Sequence, residues 1–213
     1  RVLITAGRTE ELIDPVRYIS NRSSGKTATA IASVFYEAGF DVTMVCGPMD
    51  VAAPGFSKVV NVRSAIEMHE AVLSRAKDYD VLVHCAAVAD YRPAEVANEK
   101  IKDSRSQLHL DLIPNPNILR DSVAQKRKGQ VVVGFALETE KPELHAKEKL
   151  EKSGADLLVL NMPVAKESGF GKDNVAFSLV EKGGAVPELQ MASKRDLALG
   201  ILRFTLLELE KTK

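Results

Sequence analysis

"VLITAG" at residues 2–7 is a short, almost wholly apolar run that closes on a glycine. Four more runs of the same kind follow it: "DVTMVCG" at 41–47, "DVLVHCAAV" at 80–88, "VVVGFAL" at 131–137 and "DLLVLN" at 156–161. Near-continuous Val, Ile and Leu without polar alternation marks strands covered on both faces. A shorter "KVVNV" at 58–62 reads as another. Between the first two runs, Ile31, Val34, Phe35 and Ala38 recur at i, i+3, i+4 and i+7. Gly39 is their stop signal and Ser24 the expected N-cap. The pattern predicts further helices over 66–77, over 116–125 with Asn115 as cap and proline in the first turn, and over 143–152. A closing helix from Ser193 onward stripes Leu197, Ile201, Phe204 and Leu207.

Strand alternating with helix specifies an α/β domain, a Rossmann-like doubly wound and mainly parallel sheet with helices on both faces. At 213 residues the chain is read as a single domain, 1–213, large enough to bury a real core. Two segments depart from the alternation. "EKIKDSRSQLHLDLIP" at 99–114 reads as two short strands around a polar turn, because Leu108, Leu110 and Leu112 alternate with polar residues. It belongs to a flap insertion over about 92–114, with an apolar strand face that nothing in its own chain covers and that is expected to meet a second subunit. "NVAFSLVEKGGAVPELQM" at 174–191 reads as a hairpin centred on Gly183 and Gly184. Both segments are expected to lie outside the ligand-binding core.

Charge and cysteine content exclude several classes. Lys and Arg together number 29, as do Asp and Glu, so no global field draws the chain to nucleic acid or to a membrane surface. An anionic ligand must be held by local charge. No run of about 18 apolar residues and no basic-then-apolar leader is present. The chain opens directly on a strand, as expected either of an artificial boundary or of a cut from a longer polypeptide. Cys46 and Cys85 end apolar runs and fit small buried residues in a reducing compartment, with no zinc-site spacing around them.

"YISNRSSGKT" at 18–27 ends like a phosphate-binding loop, but the residue five places before Gly25 is Ser20, where that loop needs glycine. About fifteen residues also separate Gly7 from Ser23, too many for a Walker geometry. No G-x-G-x-x-G follows the first strand either. "SSGK" nevertheless opens a helix whose free amides favour an anion, by about 0.3–1 kcal/mol at an exposed site; a plain N-cap with a solvated Lys26 is the alternative. The long insert "IDPVRYISNRSSG" at 13–25 gathers Asp14, Arg17, Tyr18, Asn21, Arg22 and two serines where open α/β sheets bind ligands. "HCAAVADYRP" at 84–93 sets small alanines beside Asp90 on the same edge. Small residues let a base or sugar approach the backbone, and a carboxylate can take a ribose hydroxyl or a metal, or simply cap a turn.

These strings, with "EKIK", "NPNIL" at 115–119, "VVGFALET" at 132–139 and "DLLVLNM" at 156–162, closely resemble the phosphopantothenoylcysteine synthetase family of bacterial coenzyme A biosynthesis. The resemblance runs from residue 2 to about residue 176 and continues more weakly to the end. It implies a cytoplasmic, CTP- and Mg²⁺-dependent ligase that activates the carboxylate of 4'-phosphopantothenate as an acyl-cytidylate and passes it to the amine of cysteine. It also implies a homodimer, with a flavin-dependent decarboxylase half preceding the domain in many members. By resemblance, Asn21 and Lys100 are the catalytic residues. Asn21 handles the acyl-cytidylate, an Asx-turn being its structural alternative; Lys100 is the flap lysine that reaches the nucleotide phosphates.

Further nucleotide-binding positions implied by the resemblance are Ala86, Ala87, Asp90, the "NPNI" residues Asn115, Pro116, Asn117 and Ile118, then Phe135 and Lys149. A second helix lysine falls on Ser153, with Lys152 beside it. The family usually writes "NPDI", so Asn117 lacks the carboxylate and takes no metal role. Substrate and phosphate binding falls to Gly7, Arg17, Asn21, Arg22, Ser23, Ser24, Gly25, Lys26 and Lys102. The metal ligands are not assigned. An NAD(P)-dependent oxidoreductase would need the glycine fingerprint or a Tyr-x-x-x-Lys pair, but Tyr91 is followed four residues on by Glu95 and Tyr18 by Arg22. A nucleotide-binding module without chemistry is the other rival.

Overall fold

The structure is a computed structural model and describes residues 1–102, 107–137, 142–162 and 172–211. The strands are β1 (Val2–Ala6), β2 (Glu10–Leu12), β3 (Tyr18–Ser20), β4 (Val42–Cys46), β5 (Lys58–Asn61), β6 (Val81–His84), β7 (Tyr91–Pro93), β8 (Leu112–Pro114), β9 (Val131–Leu137), β10 (Leu157–Met162), β11 (Asn174–Glu181) and β12 (Gln190–Ser193). The helices are α1 (Lys26–Glu37), α2 (Ala65–Leu73), α3 (Ile118–Ala124), α4 (Pro142–Ser153) and α5 (Lys194–Glu210). Every one of the six predicted core strands forms. They are parallel and sit side by side in one eight-stranded sheet of order β12-β11-β10-β9-β6-β1-β4-β5, with β11 antiparallel to β10 and β12 antiparallel to β11.

Strand alternation sends successive side chains of β1 to opposite faces. Val2, Ile4 and Ala6 join Ile31, Phe35, Leu197 and Ile201 beneath α1 and α5. Leu3 instead joins Met68, Val72, Ile118 and Leu150 beneath α2, α3 and α4. Burial on both faces is the reason these strands read as unbroken apolar runs.

Several local expectations need correction. The N-cap of α1 is Gly25, at φ +84° and with no side-chain cap bond, not Ser24. A side chain at Gly25 would stand 2.5 Å from the sulfur of Met49, so steric space and a left-handed backbone decide the cap. The cap of α3 is Asn117, whose Oδ1 accepts from the N–H of Arg120 at 3.0 Å. Asn115 is drawn away from that role by the "ADY" loop. Its Nδ2 donates to the Ala89 carbonyl at 2.8 Å, and its Oδ1 accepts from Arg92 at 3.0 Å. In α5 the Ser193 cap forms with a full capping box to Asp196, and Leu197, Ile201 and Phe204 are buried, whereas Leu207 is exposed.

The flap differs too. Its only strand after Pro93 among the described residues is β8, which pairs with β7 and not with "EKIK". Leu108, Leu110 and Leu112 are all exposed within the chain, so apolar alternation found no surface to fix its pairing. The 174–191 hairpin is not peripheral, since β11 and β12 extend the main sheet and carry Val175 and Lys194 to the cleft described next.

Candidate functional site

The chain leaves β1 toward the α1 face and leaves β6 toward the α3 face, so a crevice opens beyond the carboxyl ends of these two neighbouring strands. This is where open α/β sheets bind ligands. Its walls are tied together by main-chain bonds. The Ala87 N–H donates to the Gly7 carbonyl at 2.9 Å and the Thr9 N–H to the Ala87 carbonyl at 3.2 Å. The hydroxyls of Thr5 and Thr9 accept from the N–H groups of Ala86 and Ala89. Gly7 has φ +78°, and a Cβ there would stand 2.6 Å from the Pro48 carbonyl oxygen. Only glycine lets the two loops approach so closely.

A cleft of about 330 Å³ occupies this crevice. Gly7, Asn21, Ser23, Ser24, Gly25 and Lys26 line one side; Ala86, Ala87, Asp90, Phe135 and Lys149 line the other. The Asn21 side chain is fixed by a 3.0 Å bond from its Nδ2 to the Ala87 carbonyl. A contiguous lobe of about 210 Å³ shares Ala86, Asp90, Phe135 and Lys149 and adds Asn115, Pro116, Asn117 and Ile118. A groove beyond it is lined by Asn117, Lys149, Lys152 and Ser153. Lys152 pairs there with Glu148 at 3.0 Å, and the Ser153 hydroxyl donates to the Leu150 carbonyl. Most positions implied by the resemblance thus line three neighbouring cavities that share Lys149.

Arg17, Arg22, Lys100 and Lys102 do not line these cavities within a single chain. Arg22, Lys100 and Lys102 are exposed. Arg17 works inside the chain, its guanidinium donating to the buried Asp14 carboxylate and to the Ile101 carbonyl at 2.7 Å. Asp14 also accepts from the N–H groups of Val16, Arg17 and Ile101, which ties the β2–β3 hairpin to the flap. The Arg17 side chain, helped by these N–H groups, holds the Asp14 carboxyl well below its usual value of 3.8. The resulting stability is complete above about pH 4 and is lost as pH falls through the depressed folded value. Asp14→Asn is therefore expected to unfold earlier at neutral pH and to show a flatter loss of stability below pH 4; acid titrations that superimpose on the wild type would exclude this role.

Sequence patterns missed several lining groups. Lys194, Asn161, Val175 and Leu137 come from separate elements and form no local motif. The buried Asn161 Oδ1 has no hydrogen-bond partner among the described residues. His84 lines the smaller lobe. Burial pushes its pKa down to about 4, so the imidazole is neutral at pH 7. The Ser122 hydroxyl donates to the Leu119 carbonyl and leaves its oxygen to accept from His84 Nε2 at 2.9 Å. Burial raises Cys46 to about 11 and Cys85 to about 12. Both thiols are protonated at neutral pH and neither is a poised nucleophile. Cys85 differs from its expected wholly buried setting, for it lines the cleft.

No helix among the described residues is long and apolar enough to cross a membrane. In sequence, the chain is 41% identical over 204 residues to the coenzyme A biosynthesis bifunctional protein CoaBC of Vibrio vulnificus strain YJ016, covering 95% of this chain and 51% of that protein. The chain spans about half the length of such curated relatives. Its fold matches the crystal structure of the C-terminal domain of a CoaBC protein with a TM-score of 0.82 at 38% identity, over 99% of this chain and 98% of that one. A Cab2 mutant solved in complex with phosphopantothenate-cysteine shares the fold at 17% identity, with a TM-score of 0.77 over 99% of this chain and 86% of that one. The model of the DNA/pantothenate metabolism flavoprotein C-terminal domain matches residues 1–207, and with its sheet order and cleft already in place the chain belongs to that family.

Proposed function

We propose that the chain is a phosphopantothenate–cysteine ligase domain of coenzyme A biosynthesis, using CTP in the cytoplasm. The observation that carries this reading is the joining of Asn21, the amino end of α1 and the Ala86–Asp90 wall in one cleft, in a chain of this family. In the first step a carboxylate oxygen of 4'-phosphopantothenate attacks the α-phosphorus of CTP; the new O–P bond forms as the bond to pyrophosphate breaks. In the second, the amine of cysteine attacks the acyl carbon, loses a proton and expels CMP. Asn21, held against the Ala87 carbonyl, has a second amide hydrogen with which to steady the oxyanion of that attack. The ligand of the Cab2 complex, phosphopantothenate-cysteine, is the product such a reaction would form.

Among the described residues no group of three or more His, Cys, Asp or Glu could hold a metal ion, and Asp90 is the carboxylate lining the main cleft. The described residues thus supply no three-ligand protein site, and Mg²⁺ would enter with the nucleotide phosphates. Lys100 and Lys102 act from the flap of a second copy, where the exposed Leu108, Leu110 and Leu112 supply the contact surface. The relatives are about twice the length of this chain, which leaves room for the flavin-dependent decarboxylase half that the resemblance implies.

The test is pyrophosphate release with CTP, 4'-phosphopantothenate and cysteine together, compared with each omitted. Release requiring phosphopantothenate is expected. CTP binding without it would favour a non-catalytic nucleotide module, and a melting shift with NADPH alone would favour an oxidoreductase. Light scattering is expected to give a dimer, with Leu110→Glu shifting it to monomer and lowering activity; an active monomeric wild type would exclude the shared flap.

A further inference from the structure

His84, the last residue of β6, lines the smaller lobe together with Asp90, which is exposed. One side of its imidazole is committed to α3. The single proton of the Ser122 hydroxyl goes to the Leu119 carbonyl at 2.8 Å, so Nε2, 2.9 Å from the Ser122 oxygen, carries the ring hydrogen and donates it there. Nδ1 is left with its lone pair and can only accept. That atom is buried and has no hydrogen-bond partner among the described residues. With its pKa lowered to about 4 by burial, the ring keeps this lone pair free of a proton at pH 7. An unmatched buried acceptor is destabilising, and a donor brought by a ligand would relieve it. The other side-chain acceptors on the lobe already have donors: the Thr5 hydroxyl takes the Ala86 N–H at 3.1 Å, the Asn115 Oδ1 takes Arg92 at 3.0 Å and the Asn117 Oδ1 takes the Arg120 N–H at 3.0 Å. Val88, Pro116, Ile118 and Phe135 supply apolar wall. Apolar walls around one unmet acceptor suit the amino-bearing edge of a planar heterocycle.

We infer that His84 reads the base in this lobe: its Nδ1 accepts a hydrogen from the exocyclic amino group of a pyrimidine and disfavours a keto oxygen at the same ring position. The inference rests on the proposed function in taking the ligand to be a nucleotide whose base enters the lobe. A keto oxygen would set two buried lone pairs against each other with no hydrogen between them. A histidine serving only to fasten β6 to α3 through Ser122 would affect stability and leave the choice of base alone.

Calorimetry on the full chain separates these roles, with CTP, UTP and the triphosphate of pyrimidin-2-one riboside as probes; the last lacks the amino group without gaining a keto oxygen. The wild type is expected to bind CTP about 10-fold more tightly than the pyrimidinone analogue, and UTP more weakly still. His84→Gln can still reach Ser122 but has no Nδ1, whereas His84→Asn sets an amide oxygen near the Nδ1 position and gives up Ser122. Base reading predicts that His84→Gln loses the preference for CTP and His84→Asn keeps most of it. A fastening role predicts an unchanged preference in both, with the lower Tm in His84→Asn. Equal wild-type affinities for CTP and UTP, or an unchanged CTP-to-UTP ratio in His84→Gln, would overturn the inference while leaving the ligase reading intact. A preference lost in His84→Gln, in a protein whose wild type releases no pyrophosphate when phosphopantothenate is added, would uphold the inference and sink the ligase reading. If the variants do not fold, the wild type decides: the nitrogen resonance of His84 Nδ1 is expected to shift with CTP and not with UTP, and an unmoved resonance at saturating CTP rejects the contact.

Discussion

Asn21→Ala is expected to release pyrophosphate from CTP and phosphopantothenate while forming phosphopantothenoylcysteine about 100- to 1,000-fold more slowly, so that the acyl-cytidylate accumulates. The magnitude is that of removing one preorganised donor from a developing oxyanion, about 2.7–4 kcal/mol. Asn21 lines the cleft, and its amide is oriented by the Ala87 carbonyl at 3.0 Å. One amide hydrogen fixes the side chain, and the other is available to the reacting carbonyl. A purely structural Asn21 would slow both half-reactions together, because the β3-to-α1 loop would shift as a whole. Quenched-flow analysis of pyrophosphate, acyl-cytidylate and final product distinguishes the cases; equal product rates in the two proteins would remove Asn21 from the chemistry. Asn21→Asp is a sharper version, since it keeps the shape but turns an acceptor toward the Ala87 carbonyl.

Gly47→Ala carries the largest expected loss of stability. An added Cβ would lie 1.9 Å from the Arg8 carbonyl oxygen, a main-chain atom that cannot rotate away. The surrounding backbone is held by the Gly47 N–H bond to Ala6 at 3.0 Å and the Arg8 N–H bond to Pro48 at 3.1 Å. Relief must come from separating the ends of β1 and β4. The expected cost is about 3 kcal/mol, at the upper end for overpacking, and a Tm lower by about 6–12 °C for a domain of this size. Gly39→Ala is the control. Gly39 also has an unusual backbone, at φ +86°, but open space around it, so only the left-handed penalty of about 1–2 kcal/mol applies. A Gly47→Ala protein melting with the wild type would show that these strand ends move freely, and the close approach would lose its meaning.

The core strands were legible because burial on both faces leaves an unbroken apolar signature. Helix α5 was legible at its start because the Ser193–Asp196 box is local chemistry. The caps of α1 and α3 were not. Ser24 and Asn115 are good capping residues by type, but Met49 packs against Gly25, and Ala89 and Arg92 take the Asn115 side chain. Such competition arises between segments distant in the chain. The flap failed for a related reason, since alternating leucines specify a strand only when a surface exists to receive one face.

For the candidate site, the motif residues Asn21, Ser23 to Lys26, Ala86, Ala87 and Asp90 could be read because they lie in two compact strings. Arg17 reads as a phosphate ligand by its type and its place in the loop, whereas its guanidinium is held by Asp14 and the Ile101 carbonyl. Lys194 stands 168 positions beyond Lys26, and no spacing rule links them. A parallel α/β sheet and the loops that crowd its open edge are legible in the chain because they follow from local periodicity and residue chemistry. Which cations share the cleft and which are already neutralised emerges with the fold, since Coulomb energy depends on distance through space and on burial, and neither is written in the order of residues.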